Sequence, residues 1–280
     1  MKAVVNKIIP FSSVDGPGNR TAIFLQGCNI NCKYCHNPET RALCINCGMC
    51  VDNCPQGALS FDSEGKVAYD ETKCVACDTC IHVCPHDSTP RTHLLSVEEA
   101  YEKVRKQIPF IRGITVSGGE CMLRPDFLTE LFRMAKADGL TTLIDSNGTI
   151  DFWGQGALLE VTDGVMLDIK AFEESDHYTV TDESNRMVLA NAAFLAKEHK
   201  LYEVRAVIVP DLYDTTESVR KMGHFLREFY EMHPFRIKLI AYRPMGVREA
   251  YAHYEVPSQS YLGELAQMLM DMGYEDIIII

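Results

Sequence analysis

The sequence predicts an α/β fold, an incomplete parallel (β/α)6 barrel that carries a spliced-in cysteine-rich module. Three observations lead there. After residue 93, strand-length apolar runs alternate with amphipathic stretches, giving about six βα units, too few for a closed eight-stranded barrel. Eleven of the twelve cysteines fall between residues 28 and 84, which marks a compositional boundary. An apolar run from Thr21 to Gln26 precedes those cysteines, so the module interrupts the barrel just after its first strand.

In order along the chain, TAIFLQ is the first strand expected, and the module occupies about residues 39–93, leaving 1–38 and 94–280 for the barrel. Ser96-Val-Glu-Glu99 reads as a capping box opening a helix to about Ile111. GITVSGGE is a buried strand ending in glycines, and Pro125 begins the next helix at a favoured first-turn position. Strand TTLIDSNG, a helical stretch near Trp153 to Val161 and strand GVMLDIK follow. A helix over about Asn185 to Lys200 leads to strand LYEVRAVIVP, and another over Thr215 to Tyr230 leads to FRIKLIAY. A last helix, about Ser258 to Met272, precedes EDIIII.

A chain of 280 residues buries one large core, alone or with an inserted module. Its 46% hydrophobic and 24% charged content is that of an ordinary globular protein. A net charge of −12 argues against a nucleic-acid binder, which needs a basic face. The N-terminus lacks an apolar signal core and no run is long enough to span a membrane, so a cytoplasmic protein is expected. Twelve cysteines without an export signal point to metal binding rather than disulfides.

The cysteines fall into two patterns. Cys28, Cys32 and Cys35 form C-x3-C-x2-C in GCNINCKYCHNPE, with no fourth cysteine nearby. Three thiolate ligands on a four-iron cube leave one iron open for chemistry, whereas electron-carrying cubes are closed by four. A three-cysteine zinc site normally recruits a His at finger-like spacing. The second pattern is a repeat, CINCGMCVDNCPQGAL and CVACDTCIHVCPHDST, each C-x2-C-x2-C-x3-C-P. This is the ligand run of bacterial two-cluster ferredoxins, in which the fourth cysteine crosses to the other cluster. Cys44, Cys47, Cys50 and Cys84 are therefore assigned to one cluster, and Cys74, Cys77, Cys80 and Cys54 to the other. Pro55 and Pro85, directly after the last cysteine of each run, stop the helix from continuing.

C-x3-C-x2-C after a strand, with GGE on the next one, is similar to the signature of radical S-adenosylmethionine (SAM) enzymes. With PFSSVDGPGNRTAIFLQGCNINCKYCHNPE and the two-cluster insert, essentially the whole chain resembles a glycyl radical enzyme activase. The subgroup resembled includes activases of glycerol dehydratase, choline lyase and arylacetate decarboxylase. The resemblance implies a partial (β/α)6 radical SAM barrel open on one side, so that a loop of a large partner can enter. It implies three 4Fe–4S clusters and SAM as cofactors, a glycyl radical enzyme as protein substrate, and flavodoxin or ferredoxin as electron donor. Cys28, Cys32 and Cys35 match the radical-cluster ligands, and the resemblance implies that Tyr34, with His36, would lie beside the adenine. Gly118, Gly119 and Glu120 match the motif that receives the methionine ammonium group. Asp145 and Ser146, then Asp168, Ile169 and Lys170, match strand ends at the SAM site, Lys170 suiting a carboxylate. Arg205 and Arg243 match SAM-contacting positions, and Asp145, Met166 and Asp168 resemble a monovalent-cation site.

The chemistry implied is one-electron reduction of the sulfonium to methionine and a 5′-deoxyadenosyl radical, which takes a hydrogen from a backbone glycine of the partner. It needs no side-chain acid or base, and no persuasive triad or carboxylate pair occurs in the chain. The alternatives are a radical SAM enzyme acting on a small molecule or peptide, and a plain electron carrier. The first usually places its extra cysteines after the barrel; the second leaves C-x3-C-x2-C and GGE unexplained. Open readings remain for His36, as loop cap or SAM contact, and for the insert clusters, as relay or docking surface. Cys121, where the family often has Pro or a small residue, reads as packed, against an extra ligand or redox thiol.

Overall fold

The computed structural model describes residues 1–280. In chain order the elements are β1 (Lys2–Ser12), β2 (Arg20–Leu25), α1 (Met49–Asp52), β3 (Leu59–Phe61), β4 (Val67–Tyr69), α2 (Thr79–His82) and β5 (His93–Ser96). Then come α3 (Val97–Arg105), β6 (Gly113–Gly118), α4 (Pro125–Ala137), β7 (Thr141–Ser146), α5 (Gly156–Glu160), β8 (Gly164–Asp168), α6 (Glu174–Thr181) and α7 (Arg186–Lys197). The chain closes with β9 (Leu201–Ile208), α8 (Thr215–Met232), β10 (Arg236–Ala241), α9 (Gln259–Asp271) and β11 (Ile277–Ile279).

One nine-stranded sheet runs β11-β10-β9-β8-β7-β6-β2-β1-β5. From β2 through β11 every neighbouring pair is parallel. These strands are near-continuous apolar runs because helices cover them, as in β6, where Gly113 to Ser117 are all buried. The sheet stays open, with β5 and β11 at its edges. The first strand is not the one at Thr21: β1 lies antiparallel on β2, and β5 antiparallel on β1. Two register shifts bend β1, so its sequence alternates poorly.

The capping box forms as expected: Ser96 Oγ accepts from Glu99 N at 3.2 Å, and Glu99 Oε2 accepts from Ser96 N at 2.7 Å. Helix α3 nevertheless stops at Arg105 and a 3-10 turn at Ile108–Phe110 replaces its predicted last turn, since Pro109 cannot donate to a helical ladder. Helix α6 was not expected. No helix is long and apolar enough to cross a membrane.

A single cluster of 47 buried residues joins the sheet to its helices, whereas the cysteine module packs on its own small group around Cys50, Leu59 and Cys80. Inside the module both repeats follow the same path. Asn46 and Ala76 have φ of 61° and 53°, and Gly48 and Asp78 have φ of 81° and 60°. These left-handed turns wind each C-x2-C-x2-C run tightly enough to point its thiols inward. The module's ends meet where Ala42 N donates to Asp87 O at 2.9 Å.

Candidate active site

Beyond Leu25 the chain enters a loop whose backbone is held from three sides. The carbonyls of Thr40 and Arg41 accept from Gly27 N and Cys28 N, both at 2.8 Å. The last turn of α6 accepts from Asn31 N at Thr181 and from Lys33 N at Val180, both at 2.9 Å, so the orphan carbonyls of that helix become anchors for the loop. After β6, Glu120 N donates to Gly27 O at 2.7 Å.

Cys28, Cys32 and Cys35 line a cavity of about 280 Å³ at the C-terminal ends of the parallel strands, where βα folds place their chemistry. Burial pushes the thiols up, Cys28 to about 11 and Cys32 to about 12, with Cys35 moving the same way. As free side chains they stay protonated; a metal centre replacing those protons is what makes thiolates of them. Three thiols from one turn, beside a cavity with no fourth cysteine in its lining, fit a cube with one iron left for a small ligand.

The cavity wall is charged, and the charges are paired. Asp168 accepts from Lys170 Nζ at 2.8 Å, and that ammonium lies 5.9 Å from the centre of the Tyr34 ring. Burial works against the charge of Lys170, but Asp168 and the groups around it outweigh the burial and raise its pKa. Arg205 Nη1 stands 3.0 Å from Asp145, Nη2 reaches the Met166 sulfur at 2.9 Å, and Nε donates to Glu203 at 2.5 Å. Burial raises the Asp145 pKa despite Arg205, while Asp145 and Glu203 keep Arg205 charged against its own burial. Of the residues resembling a monovalent-cation site, Asp145 and Met166 thus hold the Arg205 guanidinium, while Asp168 is paired with Lys170.

Three of the expected side chains lie away from the cavity. Glu120 does not face the cavity: it is buried and accepts from Met122 N (2.8 Å), Ser146 Oγ (2.9 Å) and Asn147 N (2.7 Å), tying the ends of β6 and β7. Burial, opposed by those three bonds, lifts its pKa to about 7. Gly119 lines the cavity beside Gly118, and a Cβ on it would lie 2.2 Å from Gly27 O and 2.8 Å from Thr40 O, so the loop packed on it also requires the glycine. Arg243 is exposed, and only its carbonyl takes part, 2.9 Å from His36 Nε2. Ile169 is a core residue.

Other side chains lie where expected. His36 lines the cavity, its ring held by Arg243 O and stacked near Tyr242 at 6.5 Å. Tyr34 lines it too, fully enclosed, with a hydroxyl that has no protein partner. Gly118 and Ser146 also border it. Cys121 is buried, its thiol donating to the carbonyls of Val116 and Asp145 at 3.4 Å each, which is a packed thiol rather than a ligand. In the module, Cys44, Cys47, Cys50 and Cys84 line one small cavity, and Cys54, Cys74, Cys77 and Cys80 line another.

Residues 43–88 match the family model of the 4Fe-4S dicluster domain. The pyruvate formate-lyase-activating enzyme of Streptococcus mutans is 32% identical, over 87% of this chain and 78% of its own. The chain belongs to the glycyl radical enzyme activating enzymes. The indoleacetate decarboxylase activating enzyme of Tractidigestivibacter scatoligenes is 27% identical to this activating enzyme, over 99% and 98% of the two chains. In fold, the crystal structure of a domain of pyruvate-formate lyase-activating enzyme from Bacteroides vulgatus superposes with a TM-score of 0.51 at 20% identity, covering 60% of this chain and 98% of that one. The iron–sulfur clusters and SAM belong to this family's chemistry, as does a partner glycyl radical enzyme.

Two residues given no role from the sequence of this activating enzyme also stand at the cavity, Arg248 and Asn147. Arg248, not Arg243, is the arginine of the RPMGVRE turn that reaches the cavity; its Nη2 donates to Cys32 O at 2.7 Å and Nη1 to Asn31 Oδ1 at 2.7 Å. Asn147 Nδ2 lies 3.7 Å from the Cys28 sulfur, a contact of the kind that tunes a cluster's potential. Asn147 was legible in principle, in the DSNG that ends β7.

Proposed function

We propose that this enzyme holds a 4Fe–4S cube at Cys28, Cys32 and Cys35, takes SAM into the adjoining cavity, and removes a hydrogen atom from a backbone glycine of its partner. The convergence of three thiols from one loop on a charge-lined cavity at the ends of β6 to β9 carries this reading. Cube and SAM together supply reductive cleavage of the sulfonium to a 5′-deoxyadenosyl radical. The protein's part is to hold and enclose. Lys170, fixed by Asp168, offers its ammonium to the methionine carboxylate. Tyr34 and the His36 ring, itself fixed by Arg243 O, form the surface for the adenine. Arg205 provides a permanent positive charge in place of a monovalent cation.

The two four-cysteine cavities support two further cubes with crossed ligands, three clusters in all. The separate packing of the module supports a division into a barrel of residues 1–38 and 94–280 and an insert of residues 39–93. Flavodoxin or ferredoxin is the electron donor in this reading.

The test is anaerobic incubation of reconstituted protein with SAM and dithionite, alone and with a glycyl radical enzyme encoded beside it. Equal amounts of methionine and 5′-deoxyadenosine, and a glycine-centred doublet in electron paramagnetic resonance, are expected. Fully iron-loaded protein that cleaves no SAM overturns the reading.

A further inference from the structure

Two cavity arginines depend on one carboxylate, and that carboxylate belongs to the insert. Asp87 follows Cys84 by three residues, in a left-handed conformation with φ of 48°. Its Oδ2 accepts from Arg41 Nε at 3.0 Å and from Arg248 Nη1 at 3.1 Å, and Arg41 Nη2 lies 2.9 Å away. No other carboxylate lies within salt-bridge distance of either arginine. Both arginines line the cavity, and Arg248 also grips Cys32 O, in the middle of the C-x3-C-x2-C loop. The other cavity cations have their own partners, Lys170 with Asp168 and Arg205 with Asp145.

We propose that Asp87 is a positioning and charge-balancing residue through which the insert sets the SAM affinity of the barrel. It rests on the reading that SAM binds in this cavity. SAM carries a net positive charge, from a sulfonium and an ammonium against one carboxylate. Two guanidinium groups facing it without Asp87 would repel it, and Arg248 would be left with only its bonds to Cys32 O and Asn31 Oδ1. An outer partner of this kind typically accounts for tenfold or more in the affinity of the site it supports. The insert is thereby part of the SAM site as well as a carrier of clusters.

The clean variant is Asp87→Asn, because Asn keeps the shape of Asp and tolerates a left-handed backbone. With iron content unchanged, SAM affinity measured by equilibrium dialysis should fall about tenfold. The deficit should narrow as salt is raised, since unpaired accessible charges are screened over about 10 Å at 0.1 M. Adding Arg41→Gln should recover most of the affinity, because it removes the excess positive charge and the Arg41 side chain bonds to nothing but Asp87. A purely structural role would show neither salt dependence nor rescue. Should Asp87→Asn lose iron, Arg41→Gln alone, with the insert's carboxylate intact, should bind SAM at least as tightly as wild type. Unchanged affinity in iron-loaded Asp87→Asn, failure of the rescue, or weaker binding by Arg41→Gln overturns the proposal. Absence of SAM binding by wild type would instead strike the function proposed above.

Discussion

The guanidinium of Arg205 stands 3.0 Å from the carboxylate of Asp145, joining the ends of β9 and β7 over the intervening β8. The pair is nearly enclosed, so its geometry is fixed before any ligand arrives. Met166, on the strand between, contributes its sulfur to the same guanidinium.

Arg205→Ala should therefore do two things. It strands a buried carboxylate, at a cost of about 3–5 kcal/mol, which a denaturant titration reads directly. It also leaves Asp145, Met166 and Asp168 around a gap suited to a small cation, so residual SAM cleavage should become potassium-dependent when assayed against tetramethylammonium chloride. Cleavage indifferent to the cation, with unchanged stability, would show that the pair has no such role.

Gly119→Ala should release the cluster loop rather than merely block a ligand. The added methyl meets two backbone carbonyls, neither of which can move without shifting the loop. Reconstituted variant should hold about eight irons instead of about twelve, with the insert's share intact. A full iron count with weak SAM binding would restore the view that the glycine makes room for methionine.

The pKa of Glu120 gives a sign as well as a place. Burial raises it to about 7 from an ordinary value near 4.5. The folded state therefore binds the proton more tightly than the unfolded chain does. Its contribution is complete below about pH 4.5 and is lost as pH rises through about 7, by roughly 3 kcal/mol at 1.36 per unit. Urea titrations from pH 5.5 to 8 should show wild type losing stability relative to Glu120→Gln. That variant should be less stable at the acid end, because its amide turns a donor toward another donor. Parallel pH profiles for the two proteins would rule this out.

Cys35→Ala should abolish SAM cleavage and leave the two insert clusters reducible. Cys77→Ser, at an exposed ligand of the cavity shared with Cys54, should keep dithionite-driven cleavage and lose most glycyl radical formation when a flavodoxin supplies the electrons. Full radical yield from the protein donor would make the insert a scaffold only.

The seven parallel strands were readable because buried parallel strands are short apolar runs between turn signals, GITVSG and GVMLD being examples. Strand β1 was not: KAVVNKIIPFS mixes lysines, a proline and two register shifts, and its antiparallel pairing leaves no simple alternation. Helix α6, ESDHYTVT, is poor in helix formers and has no apolar stripe; contact with the cluster loop holds it in place. At the site, the cysteines could be grouped from spacing, because ligand runs are local. The side chains of Arg243 and Glu120 lie away from the cavity for one shared reason. Where a side chain points after a strand end depends on the turn that follows, and the sequence reading had no measure of that turn.

The two cysteine cavities each contain three neighbours from one run and a single member of the other, Cys84 in one and Cys54 in the other. Such reciprocal lending makes the pair a shared fuse. Oxygen that strips one cube frees a thiol whose chain segment also carries ligands of the second, so the loss of one loosens its twin. With the proposed crossed ligands, oxidation of the insert is expected to release the iron of both cubes together.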